Sequence, residues 1–174
     1  LSTNRSSGSR PPVDNREMRI SELRLHPIAI ADPPLRSSYG LHAPFALRTI
    51  VELKSTDGIT GIAETYGGEG PLAALEAAAP FVLGRDPFRL AELLAALLGT
   101  AKKVDVAGGA TQTYLVPGEN PLDQHMRTFA ALEIACLDLI GKAVGRPVCD
   151  LIGGRARDEV SFSAYLFYKH GGGG

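Results

Sequence analysis

Residues 47–65 read LRTIVELKSTDGITGIAET. Between Leu47 and Lys54, Thr49, Val51 and Leu53 fall on one side of an extended chain, and Ile50 and Glu52 fall on the other. That two-residue period belongs to a half-buried strand, not to a helix. Thr56-Asp57-Gly58 then supplies a tight turn, since Asp and Gly tolerate the positive φ that short hairpins need. Ile59 to Thr65 is the return strand. Working upstream, Ile20, Leu23, Leu25, Ile28 and Ile30 are spaced nearer to alternation than to a helical stripe. Arg19 to Ala31 therefore reads as a further strand, broken or bulged around Pro27. Asp32-Pro33-Pro34 ends it, and residues 33–46 (PPLRSSYGLHAPFA) read as a loop. The result is a three-stranded antiparallel meander.

Downstream the text becomes helical. Pro71 suits a first helical turn, and Leu72 to Ala79 is rich in Leu and Ala. Pro80 limits that helix and Gly84 closes it. Asp86-Pro87 reads as an N-cap with proline at the first helical position, opening a helix through Leu98. Residues 99–120 are irregular. Asn120-Pro121 starts the strongest helix, in which Phe129, Leu132, Cys136, Leu137, Ile140, Ala143 and Val144 recur at three- and four-residue steps, with Gly145 just past its end. Val148 to Ile152 is a short helical turn before Gly153-Gly154. Glu159 to Tyr168 (EVSFSAYLFY) alternates and reads as a strand, which either pairs back into the meander or begins another domain. The fold class is α+β.

Composition narrows the function. The 174 residues are 44% hydrophobic, enough for a core, and Lys+Arg 18 against Asp+Glu 19 leave a formal net charge of -1. No basic footprint for nucleic acid or anionic membrane follows from that balance. No apolar run is long enough to span a bilayer. The two cysteines, Cys136 and Cys149, lack metal-ligand spacing, which fits a reducing, cytoplasmic setting. Residues 1–17 carry no apolar stretch and read as a loose tail. An eight-fold β/α barrel needs about 250 residues, so a complete one cannot be contained in this length.

Several stretches resemble a known family. Meander, helices and terminal strand, in that order, resemble the N-terminal capping domain of the enolase superfamily followed by the first barrel strand. Gly40-Leu41-His42-Ala43-Pro44-Phe45 resembles the substrate loop of the glucarate dehydratase family. Gly58-Ile59-Thr60-Gly61-Ile62-Ala63-Glu64, with Gly67-Gly68-Glu69 after it, resembles that family's second loop region. Leu132 to Gly141 and Leu151-Ile152-Gly153-Gly154 resemble the helix that leads into the barrel, and Tyr165-Leu166-Phe167 the end of barrel strand one.

The resemblance implies a flexible tail over 1–17, a capping domain over 18–157, and the opening strand of a β/α barrel over 158–174, with the rest of the barrel absent. It implies a Mg²⁺-dependent lyase (hydro-lyase) that removes a proton next to the carboxylate of a sugar diacid and expels water from the adjacent carbon. Its catalytic bases and metal ligands are expected in the missing barrel, so this chain alone is expected to be inactive, with no catalytic and no metal-binding residue. The substrate-binding candidates are His42, Thr113 and Tyr165. His42 lies in a loop, a fitting place for a substrate-reading donor. Thr113 rests on Gln112-Thr113-Tyr114 and requires an insertion before Met126; without a gap, Glu119 or Asn120 takes that place. Tyr165 is either a core aromatic of a half-buried strand or a hydroxyl at the barrel mouth. The implied partner is a small-molecule sugar diacid, with neither nucleic acid nor membrane, and the intact protein is expected to be a homo-oligomer. The alternatives are another enolase-superfamily racemase or cycloisomerase, and a non-catalytic, free-standing cap-like binding module.

Overall fold

The computed structural model describes residues 18–32, 36–37, 40–41, 43–99 and 121–164. Strands β1 (Ile20–Ala31), β4 (Phe45–Ser55) and β5 (Thr60–Tyr66) form an antiparallel sheet in the order β1-β4-β5. The expected meander is present. Leu25 stands opposite Val51, and Val51 opposite Ala63, so these core positions of the three strands share one face, while Ile28, Ile30, Ile50 and Ile62 lie on the other. Within the stretch read as a loop, β2 (Arg36–Ser37) pairs with β3 (Gly40–Leu41) as a two-residue ribbon.

Pro27 does not break β1. The strand runs through it, and the irregularity lies between Ile20 and Glu22 instead. At the edge of a sheet a proline can turn its missing N–H away from the ladder, which is why this position tolerates it.

Among the described residues four helices follow: α1 (Glu69–Val82), α2 (Leu90–Gly99), α3 (Pro121–Val144) and α4 (Val148–Leu151). α1 starts two residues before Pro71 and runs past Pro80. A proline in the last turn forfeits one backbone bond where the helix is already ending, so the loss is small. Beyond it Gly84 (φ +76) reverses the chain, and its N–H donates to the Ile20 carbonyl (2.8 Å) while Ile20 N–H donates to Arg85 O (2.8 Å). Those two bonds tie the helix end to the start of β1.

Asp86 is not the cap of α2. Its Oδ1 accepts from Phe88 N–H (2.9 Å) and its carbonyl from Arg89 N–H (3.0 Å), making a side-chain-stabilised turn that delays the helix to Leu90. α3 agrees with the expectation, including Gly145 at φ +71 beyond its end.

α3 positions everything else. Phe129, Ala131, Leu132, Ala135, Cys136 and Leu139 bury one stripe of it against Val51, Leu53 and Ala63 of the sheet, with Leu75, Ala78 and Val82 of α1 and Leu93 and Leu97 of α2 completing the core. Each fully buried leucine contributes about 2 kcal/mol of apolar burial. The helix comes so close to β5 that Gly61 has no room for a side chain: a Cβ there would lie 2.6 Å from Leu139 Cβ and 2.8 Å from Leu139 N. Polar bonds seal the same seam. Ile62 N–H donates to Asp138 Oδ2 (2.8 Å), and Lys142 Nζ donates both to Thr60 O (2.9 Å) and to Asp138 Oδ2 (2.6 Å). An edge strand's free backbone groups are thus satisfied by a helix instead of a neighbouring strand.

The strand expected over Glu159–Tyr168 is not formed in its described part. Residues 159–164 carry no ladder, and Val160 (66%) and Phe162 (93%) are exposed. Extended chain becomes a strand only through bonds to a neighbour, and no described residue supplies them. Residues 165–168 lie outside the described residues.

Candidate functional site

An antiparallel three-strand sheet brings alternate connections to one end. β1 ends there, β4 begins there, and β5 ends there before turning into α1. The connection between β1 and β4, which contains His42, and the β5–α1 loop, Gly67-Gly68, therefore meet at the same end of the sheet. Asp32 N–H donates to Pro44 O (3.0 Å), closing the first, and Gly67 N–H donates to Leu47 O (3.1 Å), joining the second to β4. His42 itself, Thr113 and Tyr165 all lie outside the described residues.

The described residues at this end include a cluster with no warning in the sequence. Thr65, Tyr66, Pro71, Leu75, Gln124 and Arg127 line a mainly apolar cleft of about 150 Å³ between β5, α1 and α3. Tyr66 is 58% exposed. The Arg127 guanidinium lies over its ring at 5.4 Å from the centroid, and that of Arg48 at 5.7 Å. Arg48 also pairs with Glu64 across the strands (3.0 Å), so Glu64 is an ion-pair partner on the outer sheet face. One turn before Arg127 on α3, Gln124 Nε2 donates to Gly70 O (3.3 Å). Tyr66 and Arg127 are 61 positions apart, and only the packing of α3 along β5 brings them together.

The outer face of the sheet is a charged cross-strand network, with Arg24 against Glu22 (2.6 Å) and Glu52 (3.7 Å), and His26 against Glu52 (3.3 Å). Glu22 raises the pKa of the Arg24 guanidinium further above its ordinary value, chiefly by its hydrogen bond. Towards the tip of the β1–β4 ribbon both faces carry exposed apolar groups: Phe45 and Leu47 on the core side of the sheet, and Ile28 and Ile30 on the outer side, are 40–48% exposed. Contiguous exposed apolar groups of this kind mark surfaces that another body covers. Cys136 is buried in the core, and burial pushes its thiol up to about 12. A thiol held neutral in this way is inert. Among the described residues no three His, Cys, Asp or Glu side chains stand close enough to hold a metal ion, so the described residues do not fit a Mg²⁺ site. Among the described residues no helix is long and apolar enough to cross a membrane.

Known proteins share this arrangement. Residues 25–153 match the family described as mandelate racemase / muconate lactonizing enzyme, N-terminal domain. A protein of Streptomyces coelicolor named probable glucarate dehydratase is 39% identical over 158 residues, 88% of this chain and 36% of the relative. Among solved structures, an enolase from Thermobispora bispora, complexed with magnesium and formate, is 44% identical with a TM-score of 0.74, covering 87% of this chain and 36% of that one. An enolase from Pseudomonas fluorescens with bound magnesium, potassium and tartrate is 36% identical with the same TM-score, covering 89% of this chain and 36% of that one. The chain thus spans little more than a third of the length of these relatives. The family match runs from Leu25, within β1, to Gly153 after α4, and takes in both connections at the sheet's loop-bearing end: this chain belongs to the mandelate racemase / muconate lactonizing enzyme N-terminal domain family and is a glucarate dehydratase-like member of the enolase superfamily.

Proposed function

We propose that the chain is the substrate-selecting cap of a sugar-acid dehydratase of the glucarate type, with residues 1–17 a tail, 18–157 the cap and 158–174 the opening strand of a β/α barrel that carries the chemistry. The observation that carries this reading is the 39% identity to the probable glucarate dehydratase along 88% of the chain. The exposed apolar tip of the β1–β4 ribbon supports it, as does the unpaired stretch 159–164, since both would gain partners from a barrel. The whole protein would remove the proton α to a carboxylate and expel water from the adjacent carbon, leaving a keto-deoxy acid. Mg²⁺, when bound, supplies charge stabilisation at that carboxylate. This chain's part is recognition: His42, Thr113 and Tyr165 hydrogen-bond the acid's oxygens, and the ribbon excludes water from the barrel mouth.

Two measurements test the proposal. The 174-residue chain with Mg²⁺ and glucarate should release no keto-deoxy product. Residues 18–157, grafted in place of the matching segment of the Streptomyces coelicolor relative, should give a dehydratase in which His42→Ala raises KM roughly tenfold, the loss expected for a hydrogen bond to a charged group. Turnover by the chain alone, or an unmoved KM, overturns it. Proton exchange or racemisation without loss of water would assign the racemase alternative instead.

A further inference from the structure

The cluster around Tyr66 joins the β5–α1 loop to the far side of the domain. On one side the loop lies directly on β4. Gly67 N–H bonds to Leu47 O (3.1 Å), and a Cβ on Gly67 would sit 2.6 Å from Arg48 N, so the chain passes with no gap. Gly68, at φ +100, makes the reversal into α1, and its carbonyl accepts from Leu72 N–H (3.2 Å). On the other side stands α3. Gln124 and Arg127 are three residues apart and share a helix face. Gln124 holds the Gly70 carbonyl, and Arg127 covers the ring of Tyr66, the residue immediately before the loop.

The two guanidinium groups over that ring differ. Arg48 has Glu64 as an ion-pair partner, whereas Arg127 has no carboxylate partner among the described residues. Among the described residues, its charge rests on the π face of Tyr66. We infer that Arg127 is a positioning residue: through Tyr66, and together with Gln124, it fixes the loop Gly67-Gly68 and the first turn of α1 at the end of the sheet where substrate is read. Its role in substrate reading rests on the proposed function, whereas its hold on the loop does not.

Amide hydrogen exchange of the 174-residue chain reads the hold directly. Arg127→Gln should speed exchange at the Gly67 and Leu72 amides about two- to fivefold, the factor that a surface cation–π contact is worth, with Leu53 and Ala63 in the core unchanged. Arg127→Lys should restore most of the protection. Tyr66→Phe, which keeps the ring, should match the parent protein, and Tyr66→Ala should match Arg127→Gln. Unchanged exchange at Gly67 and Leu72 in Arg127→Gln overturns the inference. In the grafted dehydratase, Arg127→Gln should raise KM for glucarate by a similar factor and leave kcat within twofold. An unmoved KM there, while His42→Ala still raises it, overturns the positioning role and leaves the proposed function standing. If neither variant moves KM, the proposed function is what has failed.

Discussion

Substituting Gly61 with alanine tests the seam on which the domain is built. The added Cβ would lie 2.6 Å from Leu139 Cβ, 2.8 Å from Leu139 N and closer still to the Ala135 carbonyl, where side-chain carbons do not come within 3.0 Å. Two of those neighbours are helix backbone, so no rotamer change relieves the clash. α3 must retreat from β5 by about 1 Å, a shift that a close-packed interior resists. Retreat also stretches the bonds from Ile62 N–H to Asp138 and from Lys142 to the Thr60 carbonyl. Overpacking of this kind costs about 1–3 kcal/mol, and weakening two seam bonds brings the expected loss to about 3 kcal/mol. Urea unfolding followed by far-UV circular dichroism would read it. With an m-value near 2 kcal/mol/M, the midpoint should fall by about 1.5 M. Alanine is otherwise better than glycine in ordered secondary structure, so a change under about 0.5 kcal/mol would refute the argument, because only the steric contact opposes that gain.

Three further outcomes follow from single residues. Thr49 is buried, and its hydroxyl has no hydrogen-bond partner among the described residues, so the isosteric Thr49→Val should raise stability by about 1 kcal/mol in the same unfolding assay. Asp138→Ala should lower it by about 2 kcal/mol, because the Ile62 amide loses its acceptor and the Lys142 ammonium keeps only the Thr60 carbonyl, and Asp138→Asn should recover part of that loss. Cys136 ionises near 12 in the folded chain against an ordinary value of 9.0, so above pH 9 only the unfolded state sheds that proton. Stability should therefore fall by about 1.4 kcal/mol per pH unit between pH 9 and 12, and Cys136→Ala should remove that alkaline slope in a pH series of unfolding curves.

The meander and α3 were legible because each follows a single period over many residues: Thr49, Val51 and Leu53 on one strand face, Leu132, Cys136 and Ile140 on one helical stripe. Helix starts were read less well, because a local bond outweighed the general preference. Asp86 spends its carboxylate on Phe88 N–H, so the Asp-Pro pair marks a turn instead of the first residue of α2. Pro27 and Pro80 were overvalued as breakers, since neither an edge position nor a last helical turn needs the missing N–H. At the candidate site, the loops could be found from their local motifs, whereas the Tyr66–Arg127 contact depends on how α3 crosses the sheet and leaves no local signal. The close approach that demands Gly61 was hidden for the same reason: a glycine in a strand says that something is near without saying what.

On the proposed function, this domain selects a sugar acid for chemistry done elsewhere. The most direct measurement is glucarate dehydration by the Streptomyces coelicolor relative carrying residues 18–157 of this chain in place of its own cap, followed as keto-deoxy product in the presence of Mg²⁺. Turnover should proceed with kcat within a few-fold of the unmodified relative, because the reacting groups are left untouched. A graft that unfolds cooperatively and binds Mg²⁺ but forms no product from glucarate would contradict it.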